Sequence, residues 1–159
     1  MKKIMFTFLL LVFFIPYYVY AETCNIDKIS ISSITIENKT DNVIEIKEAT
    51  VVDKKIDLNI SVSELGDNIK YRIVIKNDSN EDYELDNKSF NLNSKYIDYK
   101  LESEDNSNIV KANSSKVVYL KVEYSNEVPN NSFNSGIYND NKSMTIDFIN
   151  KKILMQLIK

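Results

Sequence analysis

The stretch Lys55-Ile56-Asp57-Leu58-Asn59-Ile60-Ser61-Val62, then Ser63-Glu64-Leu65-Gly66-Asp67-Asn68, then Ile69-Lys70-Tyr71-Arg72-Ile73-Val74-Ile75-Lys76-Asn77, decides the fold. Apolar side chains recur at every second position on either side of the centre: Ile56, Leu58, Ile60 and Val62, then Ile69, Tyr71, Ile73 and Ile75. A period of two gives a strand one apolar and one wet face, so both runs read as half-buried strands. Gly66 and Asp67 supply the turn between them, and the pair is expected to form an antiparallel hairpin. Gly66 accepts a backbone geometry that few other residues tolerate. Asn77 tolerates a left-handed backbone and is expected to cap the following turn with its own amide.

The same period extends outward from this unit. Upstream, Ile29 and Ile31 fall out of phase with Ile34 and Ile36 across Ser32-Ser33, which predicts a strand with a bulge or a kink. Asn38 to Asn42 reads as a turn, and Val43 to Val52 as a strand alternating through Ile44 and Ile46. Downstream, weaker strands are expected over Tyr83 to Phe90 and Tyr96 to Leu101, with a short one at Ile109-Val110 and turns at Glu102 to Asn108 and Asn113 to Ser115. Lys116 to Tyr124 is strongly alternating, Asn126 to Lys142 reads as a long loop containing Pro129 and Gly136, and Ser143 to Asn150 closes the set. Seven to eight strands at this spacing are the arithmetic of an all-β, antiparallel β-sandwich over residues 29–150.

The first 21 residues have a different character. Lys2-Lys3, an apolar run from Ile4 to Tyr20 and the close Val19-Tyr20-Ala21 follow the order of a secretory signal peptide, cleaved between Ala21 and Glu22. A helical signal peptide (1–21), a flexible N-terminus (22–28), the sandwich and a short tail (151–159) make up the expected organisation. Cys24 has Thr23 directly before it, a poor match to a lipid-attachment site, and as the only cysteine it forms no internal disulfide. Once Lys2 and Lys3 are removed with the signal, 18 basic side chains face 23 acidic ones, and the formal charge moves from −3 to −5. That balance is no footprint for nucleic acid, and the membrane is expected to be met only through the signal peptide before cleavage.

The residue types that are missing bear on function. The chain has no His and no Trp, and Arg72 and Cys24 are the only members of their kinds. Imidazole-based triads and dyads and the usual zinc sites are thereby excluded. Carboxylate chemistry, lysine chemistry and oxygen-ligated calcium remain. Glu102, Glu104, Asp105 and Asn106 in one loop, and Asn139, Asp140 and Asn141 in another, are the candidate calcium ligands, although solvated turns have the same composition and no calcium-loop signature with its central glycine is present. A pair of acids for glycoside hydrolysis would need converging carboxylates in a deep pocket. A Lys–Asn isopeptide bond would need a buried Lys, an Asn and an acid across facing strands. Seven tyrosines follow the signal, namely Tyr71, Tyr83, Tyr96, Tyr99, Tyr119, Tyr124 and Tyr138. Three or more of them on one exposed face would point to binding of carbohydrate or protein, whereas packing at the core edge is their commoner role.

Leu58 to Val62 leading into Leu65-Gly66-Asp67, then Tyr71 to Asn77, Tyr96-Ile97-Asp98-Tyr99 and the Lys116 to Tyr124 strand resemble a family of exported, often wall-anchored immunoglobulin-like surface proteins of clostridia and related Firmicutes. The resemblance implies an immunoglobulin-like sandwich at the cell surface or secreted, non-catalytic, without cofactor or metal, and with a structural or adhesive role. Its implied partners are other surface proteins or cell-wall carbohydrate. The alternative reading is a secreted binding module for carbohydrate, calcium or a host protein. The family often continues into a sorting signal, while Lys151 to Lys159 has neither Pro nor Gly, so release rather than wall linkage is expected. N-terminal sequencing of exported material is expected to begin at Glu22; a start at Cys24 with added lipid mass would overturn that cleavage site.

Overall fold

The computed structural model describes residues 28–86, 96–125 and 137–151, and the signal peptide, its cleavage site and nearly all of the tail lie outside them. Ten strands are described: β1 Ile29–Lys39, β2 Ile44–Val52, β3 Lys55–Val62, β4 Asn68–Asn77, β5 Tyr83–Leu85, β6 Ile97–Ser103, β7 Ile109–Val110, β8 Ser114–Tyr124, β9 Tyr138–Thr145 and β10 Phe148–Asn150. All pairings are antiparallel. A four-stranded sheet has the order β1-β4-β8-β6, a three-stranded sheet the order β2-β3-β9, and a small third sheet the order β10-β5-β7. The count exceeds seven to eight because the short Ile109–Val110 segment pairs as β7 and the expected closing strand is divided between β9 and β10.

The expected hairpin between Ile56 and Ile75 is not formed. β3 pairs with β2 and β9, β4 pairs with β1 and β8, and residues 63–67 carry the chain from one sheet to the other. The two apolar faces are therefore opposed rather than side by side. Ile56, Leu58, Ile60 and Val62 from β3 join Ile69, Tyr71, Ile73 and Ile75 from β4 in a single buried cluster with Val118, Leu120 and Val122 of β8. Burying each such side chain contributes about 1.5–3 kcal/mol, which makes this face-to-face contact the dominant stabilising term.

The phase slip at Ser32-Ser33 is a break in register between Ile31 and Ser33, and a second break separates Ile36 from Asn38. Asn38 and Lys39 still belong to β1, so the turn expected from Asn38 starts later. On β2 the expected inward face is reversed. Ile44 and Ile46 are exposed, while Val43 is buried and Glu45 lies opposite inward-facing Ile60. Glu45 is tolerated there because its Oε1 accepts a hydrogen bond from the Tyr71 hydroxyl at 2.9 Å.

The largest correction lies in the expected loop Asn126 to Lys142. Residues 138–142 open β9, which pairs with β3 in unbroken register from Tyr138 opposite Val62 to Thr145 opposite Lys55. Polar Asn139 to Ser143 hide the strand because its ladder is made by backbone groups, which have no signature in side-chain hydropathy. The expected closing strand from Ser143 to Asn150 is divided at Ile146-Asp147, so β9 and β10 belong to different sheets. Of the expected strand Tyr83 to Phe90, residues 87–90 lie outside the described residues.

Replacing Ile60 or Ile73 by Asp is expected to unfold the domain, since an unpaired carboxylate would enter the shared core. The Val substitutions should each cost about 0.5–1.5 kcal/mol in denaturant unfolding. Cross-strand nuclear Overhauser contacts should link Leu58 to Lys142 and Ile73 to Val118; a backbone ladder between residues 58–62 and 69–73 would restore the hairpin instead.

Candidate functional site

Two polar residues singled out in the sequence are structural anchors. Gly66 has φ +91°, the left-handed region that favours glycine, and Asp67 beside it is buried. Asp67 Oδ2 accepts from the backbone N–H groups of Ser63 at 2.9 Å and Glu64 at 2.8 Å, while Oδ1 accepts from the Thr40 hydroxyl at 3.2 Å. Burial alone would raise this carboxyl, but the hydrogen bonds from Glu64, Ser63 and Thr40 outweigh it and hold Asp67 below the usual carboxylate range. The turn is also tied to β8, because Gly66 N–H donates to the Tyr124 carbonyl and Tyr124 N–H to that of Asp67.

Asn77 is fully buried at the end of β4, and its backbone is not left-handed. It caps the turn through its side chain: Oδ1 accepts from Ser79 N–H at 3.0 Å, and Nδ2 donates to the carbonyls of Glu81, Val110 and Lys111. In the strand β8 opposite, Lys116 is buried and pairs with Asp105 at 2.6 Å. The ingredients of an isopeptide bond are thus committed to different partners.

The candidate calcium loops do not converge. Glu102 pairs with Lys100, Asp105 pairs with Lys116, and Asn139, Asp140 and Asn141 alternate along β9, with only Asp140 turned inward. Among the described residues no group of three or more acids or cysteines is placed to hold a metal ion. A cleft of about 190 Å³ lined by Ile34, Ile36, Ala49, Tyr71, Glu45 and Glu48 holds two carboxylates, but Glu45 is engaged by Tyr71. It is also smaller than the roughly 300–1,000 Å³ of ordinary ligand pockets.

The tyrosines separate clearly. Tyr71, Tyr83 and Tyr124 are buried in the core, the other four are half-buried, and no three share an exposed face; Tyr119 lies on the outer face of β8 under the Lys70 ammonium, 4.1 Å from its ring centre. Tyr96, Tyr124 and Tyr138 gather where the edges of the two large sheets face each other. Tyr138 of β9 lies edge-on to Tyr96 at 5.4 Å and stacks with Tyr124 at 6.2 Å. One step along the same side, the Lys142 ammonium of β9 lies 5.9 Å from the ring centre of Tyr99 on β6. Asp140, between Tyr138 and Lys142 in the alternation of β9, faces the same way.

This side of the sandwich contains an electrostatic anomaly. The Tyr99 hydroxyl and Asp140 Oδ2 are both buried and make no hydrogen bond. Burial pushes the Asp140 carboxyl above its ordinary range, with the Lys142 charge holding it partly back. Sequence reasoning had Asp140 as a loop ligand and Tyr99 as one tyrosine among seven; Lys142 was not singled out. The spacing of Tyr138, Asp140 and Lys142 is the one signal that would have found them, had this segment been read as a strand.

No family model matches the chain, and no curated protein or solved structure is significantly similar to it.

The pH dependence of Asp67 has a definite sign. Its folded-state value is lowered, so its stabilising contribution is complete above the unfolded-state value and is lost as pH falls through the lowered folded one. Asp67→Ala should lower stability by about 1–3 kcal/mol at neutral pH. Asp67→Asn should flatten the acid limb of a plot of melting temperature against pH.

Proposed function

We propose that this chain is a non-catalytic exported or cell-surface protein whose β-sandwich has an adhesive role, exercised through the side where β6 and β9 face each other. The observation that carries this reading is the half-buried pair Tyr96 and Tyr138, edge-on to each other at that side and backed by the buried Tyr124 ring. Tyrosine combines a large apolar area with a polar end at little entropic cost, which suits a contact surface. Export follows from the order of Lys2-Lys3, the apolar run and Ala21.

The immunoglobulin-like assignment is supported by one sheet and modified by the other. Taken in chain order, the strands of the larger sheet lie first, second, fourth, third, as do A, B, E and D of an immunoglobulin sandwich. The opposing sheet is composed differently, since β2 and β3 enter between the first two strands of the larger sheet. The resemblance to exported surface proteins of clostridia and related Firmicutes fits this architecture at the level of the larger sheet.

Expression of the full chain in a Gram-positive host should place the protein in the medium or on the surface, and the recovered protein should bind intact cells or isolated cell walls. Tyr138→Ala should weaken that binding severalfold without unfolding the sandwich. Retention in the cytoplasm, or binding indifferent to the tyrosine substitution, would overturn the proposal.

A further inference from the structure

β9 ends its sheet and has β3 on one side only. Ile146 N–H donates to the Lys54 carbonyl at 3.0 Å, in continuation of the register that sets Thr145 opposite Lys55. Hydrogen-bonded and non-bonded pairs alternate along an antiparallel ladder, so residues 138, 140, 142 and 144 bond to β3. The N–H and C=O groups of Asn139, Asn141 and Ser143 therefore point away from β3, along an edge with no register break. The edges β1 and β2 are both interrupted, which spoils a strand as a template for another.

The inner face of β9 carries two opposite charges, Asp140 and Lys142, both half-buried. Among the described residues neither forms a salt bridge: Asp140 Oδ2 has no hydrogen bond, and the Lys142 ammonium rests over the Tyr99 ring at 5.9 Å. A strand paired antiparallel with its own copy sets residues at equal distance from the two-fold axis opposite each other. With the axis at Asn141, Asn139 meets Ser143 and Asp140 meets Lys142, twice over. These charges then form non-hydrogen-bonded pairs, in which facing Cβ atoms approach to about 4.5–5.5 Å. The neighbouring registers set Asp140 against Asp140 or Lys142 against Lys142, and a slip by one residue turns the charges to the other face. One register of self-pairing is favoured and its neighbours are opposed. On the edge β6 the charges Asp98, Lys100 and Glu102 lie on the outer face, and Lys100 is already paired with Glu102 at 2.6 Å. Exposed pairs of that kind contribute little.

We propose that two copies of this chain pair through their β9 edges, antiparallel about a two-fold axis at Asn141, in one continuous sheet of order β2-β3-β9-β9-β3-β2. A hydrogen-bonded pair exchanges two bonds, so Asn141 with its copy and the two Asn139–Ser143 pairs make about six. The inward charges that shield β9 from other strands select its own copy. The pairing goes beyond the adhesive reading and uses no tyrosine, since Tyr138 opens β9 and lies at the end of the paired stretch.

The test uses the exported protein recovered from a host expressing the full chain, followed by sedimentation velocity over a concentration series and by amide hydrogen exchange. A reversible dimer is expected, with the amides of Asn139, Asn141 and Ser143 protected only at dimer-forming concentrations. Asp140→Lys and Lys142→Asp are each expected to raise the dimer dissociation constant about tenfold or more, because each sets like charges against each other. An equimolar mixture of the two variants restores both opposite-charge contacts and is expected to form the dimer again. Asn141→Pro removes an N–H that faces away from β3, and is expected to abolish pairing with little change in the melting temperature of the dilute protein. Should Asn141→Pro fail to fold, the mixture of charge variants carries the test; should a charge variant fail, Asn141→Pro does. The inference falls if the protein stays monomeric to millimolar concentration, if Asn141→Pro leaves the dimer intact, if mixing the charge variants does not restore it, or if the protected amides are those of Tyr99 and Leu101 on β6. A dimer that does not bind cells would leave this pairing standing and refute the adhesive role; a monomer that binds cells would do the reverse.

Discussion

The structure depends on the burial of two consecutive apolar faces against each other. β3 and β4 each present four large apolar side chains at every second position, and each face requires cover that its own sheet does not supply. Placing the strands in opposite sheets lets one face cover the other. The connection must then span the thickness of a sandwich, about 10 Å, rather than close a hairpin. Asp67 makes this crossing definite. Its two carboxylate oxygens hold the crossing segment at Ser63 and Glu64 and fasten it to Thr40 at the end of β1, while the adjacent backbone is tied to Tyr124. One side chain thus registers both large sheets.

Once the two sheets face each other, four edges remain to be managed. β1 and β2, the edges on one side, both carry register breaks, which twist a strand away from further pairing. On the other side the pairings of β6 and β9 are unbroken, and β9 instead turns Asp140 and Lys142 inward. Inward-pointing charge on an edge strand also discourages aggregation. The second of these charges lies over the ring of Tyr99. Edge protection accounts for a charge at this position, but it gives no reason for the buried hydroxyl of Tyr99 on the opposite sheet.

Much of the fold was legible in the residues. The period of two identified β1, β3, β4, β8 and part of β6, Ser32-Ser33 marked a bulge, and Gly66 marked a turn needing positive φ. The core lists for β3, β4 and β8 follow directly from alternation. β9 was illegible because Tyr-Asn-Asp-Asn-Lys-Ser contains every cue for a loop, and only β3 beside it provides the ladder. The inward turn of Glu45 was hidden for a related reason: it depends on the Tyr71 hydroxyl, 26 residues away.

For β1, β3, β4, β8 and part of β6 the sequence by itself determined which residues form a strand with a buried face, because alternation is a local property and one strand suffices to express it. Only the tertiary structure decided which strands share a sheet. A hairpin and a crossing between opposed sheets bury the same side chains of β3 and β4, so the pattern is identical in both, and the choice is made by the neighbours β1, β8, β2 and β9 that pair with each strand. The site has the same origin. Lys142 and Tyr99 are brought together by the facing of two sheet edges, and no spacing within one strand encodes a meeting across the core.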